Sequence, residues 1–175
     1  MGLVHAIARL RRSRSGSVAV EFAMIGPLLF GLIITTFDAG GVMYKTMLLE
    51  RAADLATRPI RLGSAGAATD ATALKTQICG KTILSLGDCV NRLTIEMTVV
   101  KAKADIPTAD VACVTKSVPK PTVKYSAGGL SELVYVRACL TVDPFVPLVA
   151  ETYGLKRNSN GDYSIIAVTT YTNEP

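Results

Sequence analysis

Four cysteines, at positions 79, 89, 113 and 139, are the side chains of this 175-residue chain best equipped for chemistry. Thiols can join as disulfides, ligate a soft metal or attack as thiolates. Attack needs a base, and the only histidine, His5, lies in a basic N-terminal stretch well away from all four in sequence. A Cys₄ zinc centre needs short C-x₂₋₄-C knuckles, whereas the gaps here hold 9, 23 and 25 residues. An even cysteine count on the exported side of a membrane reads instead as two disulfides. Three pairings are open. Local closure favours Cys79 with Cys89, which leaves Cys113 with Cys139. In the chain-entropy view these loops are worth about 2.8 and about 3.5 kcal/mol.

Carboxylates are the other candidates. Glu96, Asp105, Asp110, Glu132 and Asp143 are scattered and read as solvated surface, and Asp38 as a carboxylate snorkelling at a membrane boundary. Glu21 differs, because it is the only charge in the apolar run of residues 18–37. An acid inside a bilayer is costly, so one placed there needs a partner or a purpose. No G-x-S-x-G, P-loop or H-E-x-x-H motif occurs. The chain is therefore expected not to be an enzyme, and to need no metal, cofactor or small-molecule substrate.

These residues are positioned by elements that composition and periodicity reveal. Hydrophobic residues make up 49% of the chain and charged residues 19%, a balance that excludes intrinsic disorder. Residues 1–16 hold Arg9, Arg11, Arg12 and Arg14 and no acid, while the remainder holds 15 basic and 14 acidic side chains. The basicity thus belongs to the tail, and the body lacks the cationic face of a nucleic-acid binder. As a helix, residues 18–37 would reach about 30 Å, the thickness of the hydrocarbon core. The preceding arginines favour a cytoplasmic N-terminus and export of everything after Phe37. A cleavable secretory signal would have a shorter apolar core and a small-x-small site, which residues 39–41 signal only weakly.

Beyond the membrane, Tyr44, Met47, Leu48, Ala52, Leu55 and Ala56 recur at helical spacing. Asp54 lies one turn before Arg58, poised for a surface ion pair. Pro59 disfavours helical geometry at Arg58, so the helix is expected to stop there. Asp70 can cap a second helix over residues 71–86. The period then changes to two: Leu93, Ile95, Met97 and Val99 alternate with polar residues, as do Val134, Val136, Ala138, Leu140 and Val142. A third strand spans residues 163–172, and a short extra one is allowed at 109–114. Residues 144–148 form an apolar patch read as core filling.

The junction at residues 16–22 adds a resemblance. Gly16 ends the basic leader, Ser17 follows, and Glu21 and Phe22 stand fifth and sixth after the glycine. This arrangement resembles the prepilin processing site in the form used by Flp-type pilins and pseudopilins. Residues 17–58 resemble the TadE-like family of tight-adherence (Tad) secretion systems, through VEFAMIGPLLFGLI, the pair Phe37 and Asp38, and ERAADLATR at 50–58. The ending Asn173, Glu174, Pro175 is similar to the Glu-Pro ending common in that family, which often has Glu where this chain has Asp38. The resemblance implies trimming between Gly16 and Ser17 by a prepilin peptidase. It also implies a role for Glu21 and Phe22 in subunit assembly, with other Tad pilins or pseudopilins and the assembly platform as partners.

The expected fold is α+β and pilin-like. Residues 1–16 are a leader, 17–58 a transmembrane helix with its extension, and 59–175 an extracytoplasmic head. That head holds a short helix and an antiparallel sheet of three or four strands, stapled by disulfides. The expected function is that of a minor pilin or pseudopilin in assembly of a Tad/Flp-type adhesion pilus, seated in the bacterial inner membrane or carried into the filament. The competing reading is an uncleaved, single-pass binding module with an extracytoplasmic head.

Overall fold

The computed structural model describes residues 16–81, 88–108, 113–115, 120–144, 146, 150–157 and 163–174. The chain forms two compact units, Met1–Asp38 and Ala39–Pro175. Helix α1 (Ser17–Arg61) contributes to both.

In the second unit, α1 runs through Pro59 rather than stopping before it. Proline removes the N–H that would bond the carbonyl of Leu55, one turn earlier. That carbonyl instead accepts from Lys81 Nζ at 3.5 Å, a partner 26 residues on. The helix ends in a Schellman arrangement: Ser64 N–H donates to Pro59 O at 3.0 Å and Gly63 N–H to Ile60 O at 3.1 Å. Gly63 supplies the left-handed conformation this requires, with φ +57°. Asp54 and Arg58, spaced to pair, make no ion pair among the described residues.

Helix α2 (Ala71–Gly80) starts as expected, with Asp70 Oδ1 accepting from Ala73 N–H at 2.8 Å. It ends at Gly80 with Lys81 as its C-cap, and residues 82–86 of the expected helix lie outside the described residues. Cys79, near its end, is bonded to Cys89 with their Cα atoms 5.9 Å apart. Cys89 begins the short helix α3 (Cys89–Arg92), which has no periodic signal in the sequence.

Strands β1 (Leu93–Val100), β2 (Leu133–Val142), β3 (Lys156–Arg157) and β4 (Tyr163–Thr172) form one antiparallel sheet in the order β1-β2-β4-β3. The α+β class and the three period-two strands are as expected. The fourth strand is Lys156–Arg157; residues 109–112 lie outside the described residues, and 113–115 are not strand.

Register sets the core. Leu93 faces Leu140, Ile95 faces Ala138 and Met97 faces Val136; across the sheet Leu140 faces Ile165 and Val134 faces Tyr171. This face forms one cluster with Val42, Leu49, Ala52, Ala53, Ala56 and Ile60 of α1 and Leu74 and Ile78 of α2. The buried side of α1 is the expected one at Ala52 and Ala56, but not at Tyr44, Met47 and Leu55. Small alanines let the helix approach closely, while Tyr44, Met47 and Leu55 point outward, 54%, 67% and 38% exposed. Of the patch at 144–148, Pro144 and Val146 are half-buried and the other residues lie outside the described set.

Part of the opposite face of the sheet is covered by described residues of the excursion between β1 and β2. Cys113 is bonded to Cys139 in the middle of β2. Thr141 Oγ1 donates to Val114 O at 2.7 Å, and Arg137 Nη1 to Pro107 O at 3.4 Å. Residues 124–126 return along the outer edge of β1, with Met97 N–H donating to Lys124 O and Ser126 N–H to Met97 O.

Candidate functional site on the apolar helix

Unit Met1–Asp38 is described from Gly16 onward, and nearly all of that is helix. Its large apolar side chains find no cover within the fold. Val18, Phe22, Met24, Leu28 and Phe37 are 62–78% exposed, and Leu29, Phe30, Ile33 and Ile34 are 41–54% exposed. The most apolar window of α1 has mean hydropathy 2.1 and is only 6% buried, unlike a core helix. By length and composition, α1 is sufficient to cross a bilayer. A helix apolar on all sides and uncovered needs lipid or other helices around it.

Gly16 stands at the start of this helix, exposed, and among the described residues a methyl group there would meet nothing within 4 Å. Ser17 and Glu21 are four residues apart, which places Glu21 just over one helical turn, about 6 Å, above Ser17. Glu21 and Phe22 are both exposed. Phe22 lies against Gly26, where a methyl group would sit 3.6 Å from the ring, an ordinary contact. Asp38, read as snorkelling, is instead only 5% exposed and has an interaction partner.

In the head, the acids have structural employment. Glu96 is not solvated surface: it pairs with Arg137 directly across β1 and β2, the side chains 16% and 9% exposed. Asp143 pairs with Arg92. Asp105 accepts from the N–H groups of Ala102 and Lys101 at 2.8 and 2.9 Å, which hold its carboxyl below the usual range. Glu132 is likewise held low, chiefly by the Gly129 N–H at 2.7 Å and then by Lys101. Asp110 lies outside the described residues.

Asn173 and Glu174 tie the last strand back to α1. Asn173 Nδ2 donates to Ala127 O and Gly129 O, both at 2.9 Å. Glu174 N–H donates to Arg61 O at 3.0 Å, and its carboxylate lies 3.1 Å from the Arg61 guanidinium. Reading the sequence missed Arg137, Lys81 and this tie, because each depends on a partner distant along the chain. A cleft of about 370 Å³ beside α3 is rimmed by Lys45, Asp88, Arg92 and Asp143, but its cysteine, Cys89, is already bonded to Cys79. Among the described residues, no three metal-ligating side chains cluster.

A family model described as TadE-like protein matches residues 16–58, the stretch in which the sequence alone resembles that family. The match begins at Gly16 and ends short of the sheet. No curated protein and no solved structure matches the chain.

Proposed function

We propose that this chain is a prepilin-type component of a Tad/Flp-type pilus assembly system, a minor pilin or pseudopilin serving surface adhesion. The observation that carries the reading is the uncovered apolar helix, which follows directly on the Gly16, Ser17, Glu21, Phe22 junction within the family-matched stretch. On this reading residues 18–37 cross the inner membrane, the arginine-rich leader stays cytoplasmic and the disulfide-bonded head is extracytoplasmic. A prepilin peptidase cuts after Gly16. Glycine, with no side chain, fits a peptidase's tight subsite, and among the described residues nothing else crowds this position.

Cleavage would create an α-amino group on Ser17, largely protonated near neutral pH. In a bundle of parallel helices, a neighbour's new amine can meet Glu21. Two charges that are each costly in apolar surroundings become tolerable as a hydrogen-bonded pair that sets the register between subunits.

The test is N-terminal sequencing of protein from wild-type cells together with two variants. Mature protein is expected to begin at Ser17, and Gly16→Leu to accumulate as precursor. Glu21→Gln is expected to insert and be cleaved normally but to assemble poorly, read by filament counts and crosslinking to the major pilin. An N-terminus at Met1 in wild-type protein sinks the processing step. A cleaved Glu21→Gln protein that assembles normally sinks the register role.

A further inference from the structure

Strand β4 is ten residues long, yet β3 pairs with it only at Tyr163 and Ser164. Among the described residues, nothing pairs with that edge from Ile165 to Thr172, and Val168 is 49% exposed. An open strand edge is normally blunted by charge, proline or cover. Residues 163–172 contain neither a charge nor a proline. The opposite edge of the sheet is treated differently, since residues 124–126 cap β1 at Met97.

Helix α1 runs beside the open edge. A groove of about 480 Å³ is lined by Val42, Met43, Met47 and Glu50 of α1 and by Ile165 and Ile166 of β4, with Gly154 and Leu155, which lead into β3, also in its wall. Further along, Asp54, Arg58 and Arg61 face Thr170 and Tyr171 across a hollow of about 250 Å³. Positions 43, 47, 50, 54, 58 and 61 recur at three and four residues, so they form one face of the helix. That face reads in order as apolar, acidic and basic. Met43 and Met47 are 59% and 67% exposed, and Glu50, Asp54 and Arg58 are exposed. Glu174 already engages Arg61, and Asp54 and Arg58 do not pair with each other.

We propose that this groove receives an extended segment of another polypeptide, added antiparallel to β4 as a further strand. A strand placed there lies about 4.8 Å beyond β4, with one row of its side chains toward α1. Charge complementarity defines the occupant. Running antiparallel to β4, it carries an acidic N-terminal end for Arg58, a basic centre for Glu50 and Asp54, and an apolar C-terminal end for the two methionines. A second copy of this chain does not fit. Pairing β4 with β4 about a two-fold axis sets the acidic band of one helix beside that of the other. Head-to-tail pairing of β4 with β1 meets the cap at Met97.

The test uses the full chain in detergent micelles with its disulfides intact, and a fluorescent ten-residue peptide with glutamates at its N-terminal end, lysines at its centre and valines at its C-terminal end. Saturable binding by anisotropy is expected, with hydrogen-exchange protection appearing at residues 165–172. Methylating alternate peptide amides on the pairing edge is expected to abolish binding. The Glu50→Lys, Asp54→Lys double variant is expected to weaken binding about tenfold, with recovery when the peptide's lysines become glutamates. Far-UV circular dichroism checks that the variant is folded, and Glu50→Gln, a milder change, is expected to move the Kd in the same direction. The proposal is overturned by no binding up to about 1 mM peptide, or by binding that amide methylation leaves intact. It is also overturned by concentration-dependent dimers of the chain alone that protect residues 165–172, because the occupant is then a second copy.

Discussion

Removing Glu96 takes the carboxylate partner from a buried guanidinium in the head. In the native protein Arg137 Nε donates to Glu96 Oε2 at 3.0 Å, Nη2 donates to the same oxygen, and Nη1 reaches Pro107 O at 3.4 Å. The Arg137 side chain is only 9% exposed, so water cannot readily replace the lost carboxylate. Breaking one partner out of a buried pair costs about 3–5 kcal/mol. The contact with Pro107 and the 16% exposure of Glu96 place Glu96→Ala at the lower end. A loss of about 3 kcal/mol corresponds to a roughly 150-fold rise in the unfolding equilibrium constant. Replacing both residues by leucine removes the stranded charge along with its partner and is expected to stay within about 1 kcal/mol of wild type. The assay is urea unfolding followed by far-UV circular dichroism, with both disulfides oxidised, since the chain has no tryptophan to report by fluorescence. A Glu96→Ala loss below about 1 kcal/mol, or a double variant as unstable as the single one, refutes the reasoning.

Asp70→Ala removes the cap on Ala73 N–H and is expected to cost about 1 kcal/mol in the same unfolding assay, with Asp70→Asn largely retaining stability. Gly128→Ala is expected to destabilise by about 1–3 kcal/mol, because the residue sits at φ +73° and its new methyl would lie 2.7 Å from Val134 Cγ2; an unchanged urea midpoint contradicts this. Asp105 and Glu132 are held below their ordinary values of 3.8 and 4.5, so the stability they contribute is complete above those values and is lost as pH falls through the lower, folded ones. The amide shifts of Ala102 and Gly129 are therefore expected to titrate with midpoints below 3.8 and 4.5, and midpoints at or above them count against the hydrogen bonds.

Local pattern determined a good deal of this protein. A continuous apolar run made the first helix legible from residues 18–37, and period-two alternation located β1, β2 and β4. The even cysteine count indicated two disulfides, and Asp70 marked the start of α2. Each of these signals lies within about a dozen neighbouring residues, where backbone geometry and side-chain periodicity are directly coupled. Other features were decided by partners that fold in from far along the chain. Leu55 O, which Pro59 cannot bond, accepts instead from Lys81, and Glu96 became one half of a buried pair only when register set it opposite Arg137. The phase of α1 was read correctly at Ala52 and Ala56 but missed Val42, Leu49 and Ala53 for the same reason: packing against the sheet buries these and turns Tyr44 and Met47 outward. Strand β3 is two residues long, too short for any period, and exists because β4 offers it a ladder. Asn173 and Glu174 carried no periodic signal, yet they close the head by bonding to Ala127 and Gly129 and to the end of α1. Periodicity reports which residues seek burial, whereas hydrogen-bond and charge partners at long sequence separation are assigned only by the packing that brings them within reach.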